Sequence, residues 1–278
     1  MIFTTDVYEA LIEFIYRKAG IRYDPKRIYF LAKRVEKRMA IMGIEDAADY
    51  NRHLRFNDKG GVEFQNLINL LTINETYFFR DFLQLQSFGE HCLNEIKEKK
   101  KAANPRKTLR IWSAACSSGE EPYTIAIILL EMLEDIAEWK VEIIANDIDV
   151  NILGKAREGI FNERSLRDVP EEYLEKYFEN HHEGNYRLVN HVRQMVSFVH
   201  LNLADKTALR ELRGFDFVFC RNLLIYFDDV SRKELVDHFY IALNPGGYIF
   251  LGSSESVTRI SSAFKMKSMG KHLVYYRD

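Results

Sequence analysis

From Leu109 onward the chain alternates short apolar runs with longer stretches of helical spacing: Leu109 to Trp112, Tyr123 to Leu133, Val141 to Ala145, then Val150 to Arg157. Strand and helix in that rhythm build βαβ units, and such units build a parallel sheet covered on both faces. Two further apolar runs, Val196 to Leu201 and Phe215 to Phe219, continue the sheet. A helical segment Arg232 to Leu243, a turn at Asn244-Pro245-Gly246-Gly247 and a strand Tyr248 to Gly252 carry it toward the C-terminus. The rhythm breaks between Gly159 and Met195, where acidic and aromatic segments precede a turn signal at Glu183-Gly184-Asn185. A small inserted antiparallel β-subdomain over residues 160–195 accounts for the break.

Ahead of the alternation, residues 5–80 read as helices, with Val7, Leu11, Phe14 and Ile15 in one apolar series and Ile28, Leu31, Ala32, Val35 and Met39 in a second. A lysine-rich stretch, Lys97 to Lys107, separates the two patterns. The expected division is an N-terminal helical domain over 1–85, a linker helix and junction over 86–107, and an α/β domain over 108–278. The N-terminus lacks a basic region followed by an apolar run, and no stretch approaches the ~20 apolar residues that span a bilayer, so a cytoplasmic location is expected. Cys92, Cys116 and Cys220 are far apart and outside any ligand spacing, which predicts reduced thiols and no metal site.

A formal net charge of -2 argues against general nucleic-acid binding, but the charge is unevenly spread. Nine basic residues between Arg17 and Arg38 face only Asp24 and Glu36. The apolar spacing of the second helix leaves Lys33, Arg34, Lys37 and Arg38 on other faces, so they are expected to point outward together as a substrate-binding surface; by charge alone a solvated face serves equally well.

Ile111 to Thr124 joins the first strand to its helix, where the carboxyl end of a parallel sheet offers a ligand crevice. Ala114, Ala115, Ser117, Ser118 and Gly119 let the backbone approach a ligand closely, while Glu120 and Glu121 disfavour a pyrophosphate. A nucleoside bearing a cationic amino acid, such as S-adenosylmethionine, suits that charge better. The second strand ends in Asn146-Asp147-Ile148-Asp149, which predicts Asp147 on the ribose hydroxyls and Asp149 as a helix cap. Phe217 to Asn222 runs off a buried strand to the same sheet edge; Arg221 there is either a site residue or the partner of a neighbouring carboxylate. Asn74 to Arg80 sets polar side chains beside three consecutive aromatics.

In order and spacing, NETYFFR, WSAACSSGEEPYT, NDID, FCRNLLIYFD and LNPGGYIFLGSSES resemble the chemotaxis receptor methyltransferases of the CheR family over nearly the whole chain. The resemblance implies a Rossmann-like class I methyltransferase domain, a helical N-terminal domain over it, and S-adenosylmethionine between the two. It implies cofactor contacts from Asn74, Thr76, Arg80, Ala114, Glu120 or Glu121, Asp147, Asn202, Leu203, Cys220, Arg221 and Asn222, and catalytic positioning by Arg80 and Tyr226. The implied product is a glutamyl methyl ester on the cytoplasmic helical bundle of a receptor, made by a monomer without nucleic acid or membrane insertion. Phe178 to Gly184 is short for the loop with which many members dock on a receptor's C-terminal tether, so interaction independent of that tether is expected. The rival readings are a nucleic-acid methyltransferase, against which CRNL stands where Pro-Pro-Tyr or Pro-Pro-Phe is usual, and a non-catalytic cofactor-binding module.

Overall fold

The computed structural model describes residues 4–23, 28–103, 107–270 and 272–278. Among them the chain opens with helices α1 (Thr5–Ala19), α2 (Ile28–Met42), α3 (Ala47–Arg52), continued by a π-helical turn over His53–Asn57, and α4 (Val62–Leu71). The Thr4 hydroxyl caps α1 by accepting the Val7 N–H, and Gly20, at φ +70°, ends it with its N–H on the Tyr16 carbonyl at 2.7 Å. Leu11, Ile15, Leu31, Val35, Met39, Leu67 and Leu71 recur at helical spacing and close one apolar core.

The cationic side chains of α2 do not act as one face. Lys33 and Lys37 are exposed, but Arg38 turns inward and donates to the Glu63 carboxylate at 2.9 and 2.6 Å, beside the Tyr50 hydroxyl at 2.6 Å. Glu63 is buried, and a buried carboxylate needs a cation and hydrogen-bond donors to stay there. Arg34 lies over the Phe30 ring, 3.3 Å from its centroid, and its Nε donates to the Leu70 carbonyl at 2.8 Å, closing the C-terminal end of α4. Lys26 and Arg27 lie outside the described residues.

Helix α5 (Phe82–Ser87), a π-helical turn over Phe88–Cys92 and α6 (Leu93–Ala103) follow one another directly. Phe88 stands edge-on to Phe217, Phe219 and Phe250 at 5.0, 5.2 and 5.7 Å between ring centroids. Cys92, Leu93 and Ile96 join the same core. Residues read from sequence as a junction thus cover one face of the sheet.

The sheet is built from β1 (Thr108–Ala114), β2 (Lys140–Asp147), β6 (Val196–His200), β7 (Phe215–Cys220), β8 (Leu243–Leu251), β9 (Lys265–Met269) and β10 (His272–Tyr276). Between these run α7 (Glu120–Met132), α8 (Val150–Glu158), α12 (Lys206–Arg210) and α13 (Asp229–Ala242). The strand order is β6-β2-β1-β7-β8-β10-β9, parallel from β6 to β8, with β10 antiparallel to both neighbours. Every residue of β7 is buried, as an apolar run at the centre of a doubly covered sheet requires. Phe217, Phe219, Ile125 and Leu129 pack on the α6 and α7 side, while Trp112, Val218, Leu235 and Phe239 pack on the α13 side. The expected turn at Asn244 to Gly247 is instead taken into β8 as a bulge, pairing with β7 jumping from Phe215↔Leu243 to Phe217↔Tyr248.

The insertion after α8 holds β3 (Ile160–Phe161), α9 (Glu163–Leu166), α10 (Glu171–Tyr177), β4 (Phe178–Asn180), β5 (Tyr186–Leu188) and α11 (Asn190–Arg193), the strands forming an antiparallel sheet of order β3-β5-β4. Phe78 wedges against Phe161 and Phe178 at 4.8 and 5.0 Å, joining the insertion to the segment that follows α4.

The two kinds of cation on α2 separate in a stability measurement. Arg38→Ala strands the buried Glu63 and is expected to cost about 3 kcal/mol in urea unfolding, whereas Lys37→Ala stays within about 0.5 kcal/mol of the parent. Equal effects of the two would contradict the inward placement of Arg38.

Candidate active site

In a sheet of this order the chain winds one way from β1 through β2 to β6 and the other way from β7 through β8, so the crevice at the carboxyl ends of β1 and β7 is where a ligand is received. A cleft of about 650 Å³ opens there. Its floor comes from Ala115, Ser117, Asp147, Asn202 and Arg221, and its roof from Ile21, Arg22 and Tyr23 of the helical domain. The roof is fastened: Ile21 bridges Phe227, the Arg22 N–H donates to the Tyr226 carbonyl at 3.0 Å, and the Tyr16 hydroxyl donates to Asp228 at 2.8 Å. Gly20 makes that approach feasible, since a Cβ there would meet the Phe227 ring at 2.8 Å.

The turn after β1 takes the left-handed conformation at Ala115, Ser117 and Gly119, φ +59°, +51° and +96°. This aims the Ser117 N–H at Asp147 Oδ2, 2.8 Å away, while Asp147 Oδ1 accepts the Asp149 N–H at 3.0 Å. Burial pushes the Asp147 carboxyl above the ordinary range, although those two N–H groups pull it back. Asp149 caps α8 through Asn151 and Ile152, and its second oxygen accepts from Thr72 and Asn74 at 2.8 and 3.1 Å. Asn74 therefore reaches the cleft held by the residue that starts α8.

Glu121 and Glu120 divide. Glu121 lines the cleft, accepts from the Ser113 hydroxyl at 2.7 Å and faces Arg221 at 3.3 Å; burial raises its carboxyl, against the pull of Arg221. Glu120, one position earlier on the helix, turns to the Ser118 and Ser165 hydroxyls at 2.6 and 3.0 Å and is absent from the cleft wall. Ala114 and Cys220 also fall outside it: both are strand termini whose side chains enter the core on the α13 side, and Ala115 and Arg221 take their places. Thr76, Arg80, Leu203, Asn222 and Tyr226 line the cleft together with Asp147 and Asn202. Asn202 also spans the domains, its Nδ2 donating to the Lys18 carbonyl at 2.6 Å. Lys33, Arg34, Lys37 and Arg38 do not line the cleft, although Arg34 backs the ring of the cleft residue Phe30.

Arg221, with a side chain 4% exposed, donates to Asp81 at 2.7 Å and to the Arg80 carbonyl at 2.6 Å while facing Glu121, so it is both a cleft residue and the partner of neighbouring carboxylates. Arg80 lines the cleft half-buried, its Nη1 on the Glu75 carbonyl at 3.2 Å and its guanidinium 5.5 Å from the Tyr77 ring, which also carries Arg167 at 3.6 Å. Ser117 was legible as part of the small-residue turn at the ligand crevice, without its bond to Asp147, and sequence reading missed Asp81, Glu255 and the roof residues Ile21 to Tyr23. The missed residues act across 140, 33 or 204 positions of chain, as in Arg221 to Asp81, Asn222 to Glu255 and Arg22 to Tyr226, where no local pattern reaches.

The donor set suits a ligand that is cationic at one end and hydroxylated at the other. Asp147 is a buried acid within the cleft and Glu121 a largely buried one, and Ser117 Oγ and Asn222 Oδ1 are buried there without a hydrogen-bond partner among the described residues. Residues 6–72 match the CheR methyltransferase all-alpha domain and residues 74–273 the CheR methyltransferase SAM binding domain. Chemotaxis protein methyltransferase 2 of Vibrio cholerae serotype O1 is 44% identical over 265 residues, 95% of this chain and 90% of that protein. The chemotaxis protein methyltransferase of Escherichia coli K12 is 34% identical over 265 residues, 94% and 87% of the two chains, and that of Borreliella burgdorferi 33% identical over 255 residues, 91% and 89%. With a sheet edge built for a cationic nucleoside and both halves of the chain matched, the protein belongs to the CheR methyltransferase family, the S-adenosylmethionine-dependent methyltransferases of chemotaxis.

Proposed function

We propose that this chain methylates glutamate side chains on the cytoplasmic helical bundle of chemotaxis receptors. The observation that carries the reading is Arg80, a half-buried guanidinium in the cleft that contacts a carbonyl and an aromatic face, whereas Arg221 beside it is taken by Asp81 and Glu121. Arg80 is thus a cleft cation that is available to an incoming carboxylate, whereas Arg22 in the roof faces Asp228 at 3.7 Å. S-adenosylmethionine supplies the methyl group as an electrophile when bound. In this reading Asp147 holds the ribose hydroxyls, Glu121 faces the cationic amino-acid end, Asn202 and Leu203 flank the base, and Asn74, Thr76, Arg221 and Asn222 complete the wall. A glutamate is already ionised near neutrality, with an ordinary pKa of about 4.3, so no general base is needed. What remains is to hold a carboxylate oxygen in line with the methyl group, and positioning of this kind contributes roughly 7 to 11 kcal/mol. Arg80 orients the carboxylate and Tyr226 donates a hydrogen bond beside it.

The exposed Lys33 and Lys37 supply long-range attraction to an acidic helical bundle, and Arg34 and Arg38 are structural in this assignment. The division of the chain falls near Thr72, since Phe78, Phe79, Leu85 and Phe88 already join the core of the sheet. The short β4–β5 connection supports receptor recognition independent of a tethered tail, by a monomer acting in the cytoplasm.

Methyl label transferred from S-adenosylmethionine to a receptor cytoplasmic fragment should be released as methanol by mild alkali, with or without the receptor's C-terminal tail. Protein-bound label that resists alkali would sink the ester assignment, and loss of labelling on tail removal would sink the tether-independent one. Arg80→Ala should lower turnover about 100-fold; full turnover would exclude it from the site. Because burial raises Glu121, cofactor affinity should weaken on acidification at a higher pH than an ordinary carboxylate allows, and Glu121→Gln should flatten that profile in a calorimetric titration. Reversing Lys33 and Lys37 to Glu should raise KM for the receptor fragment with kcat unchanged, an effect that fades above roughly 0.5 M salt as screening shortens; a KM that stays at the parent value would remove α2 from recognition.

A further inference from the structure

The loop after β8 holds a carboxylate that the proposed reaction does not use. Glu255 Oε2 accepts the Asn222 N–H at 2.9 Å and the Gly252 N–H at 2.8 Å, while Oε1 accepts the Leu224 N–H at 2.7 Å. These amides lie just past the ends of two adjacent parallel strands, β7 and β8, so one side chain ties the two strand ends together. What it ties is cleft machinery. Asn222 stands at φ +59° and lines the cleft with its Oδ1 buried and without a partner among the described residues. Leu224 opens the short turn that ends at Tyr226. Gly252 keeps the approach open, because a Cβ there would lie 2.8 Å from the Asn222 nitrogen and 2.9 Å from the Glu255 carboxylate.

We propose that Glu255 is a positioning residue for methyl transfer, acting through Asn222 and Tyr226 without touching cofactor or substrate. Three N–H groups converge on it, and a carboxylate answers them because it offers acceptors only. Glutamine at this position has nearly the same shape but turns an NH2 group toward at least one of those donors. With the NH2 group on the Oε2 side, Asn222 would leave the left-handed conformation that aims its amide into the cleft; with it on the Oε1 side, the turn bearing Tyr226 would lose its anchor at Leu224.

Since this role presupposes the methyl-transfer site proposed above, binding and turnover are read separately on the full chain. In Glu255→Gln, calorimetry with S-adenosylhomocysteine should show Kd raised about tenfold, the effect of one misplaced hydrogen bond. Its kcat on the receptor fragment should fall about 100-fold, with KM for the fragment within about twofold of the parent and the thermal midpoint within about 5 °C. Asn222→Gly keeps the left-handed backbone but loses the amide; adding Glu255→Gln to it should leave Kd where Asn222→Gly alone has put it. Parental Kd and kcat in Glu255→Gln, or a double variant whose Kd loss is the product of the two singles, would overturn the proposal. If Glu255→Gln does not fold, Glu255→Asp, which keeps the charge with shorter reach, carries the test: a raised Kd supports the clamp and a parental one overturns it. A parent chain that binds S-adenosylhomocysteine yet labels no receptor would refute the receptor reading, and the Kd comparison would still decide the role of Glu255.

Discussion

Arg221 is buried between two carboxylates from different parts of the chain, Asp81 at the start of α5 and Glu121 in the first turn of α7, and it also donates to the Arg80 carbonyl. Removing one partner from a buried ion pair costs roughly 3 to 5 kcal/mol, because the other charge is left unpaired in low dielectric. Here the cost falls on the cleft. Asp81 begins the helical rod that lays Phe88 on the sheet, Glu121 faces the cleft from the helix after β1, and Arg80 hangs from the carbonyl that Arg221 holds. Fold and site therefore share one ion cluster, and the side chain assigned to substrate is placed by the one assigned to structure.

Backbone strain collects at the same place. Among the described residues the non-glycine positions at positive φ are Phe79, Asp81, Ala115, Ser117, Asn222 and Glu183, and all but Glu183 line or border the cleft. Such conformations cost about 1 to 3 kcal/mol each and persist only where the surroundings over-determine them. The restraints are visible: Arg221 on Asp81, Asp147 on Ser117, Glu255 on Asn222. Each is a charged side chain holding a neighbouring turn so that small or polar groups face the ligand, which keeps the site pre-organised.

On α2, charge written along a sequence and charge presented in space part company. The four cations read as one surface split into two exposed lysines and two arginines engaged with Glu63 and the end of α4. The guanidinium group explains which went where, since its planar fork satisfies a buried carboxylate or a row of carbonyls, and an ammonium on a flexible stem keeps its hydration.

Periodicity alone made the alternating sheet legible, along with the helical front, the inserted strands and the strand ends where Asp147, Asn202 and Arg221 emerge, because those features repeat within a few residues and answer to local geometry. The family resemblance added the cofactor. Side-chain direction was not legible: whether Glu120 or Glu121 faces the cleft, Ala114 or Ala115, Cys220 or Arg221, turns on one residue of register at a strand or helix end. Nor were Asp81, Glu255 and the Ile21 to Tyr23 roof, whose roles rest on contacts between distant segments. Local pattern determined which elements form and which turns offer polar groups; only the packed molecule decided which of those groups meet, because burial and ion pairing are settled between segments that the chain brings together last.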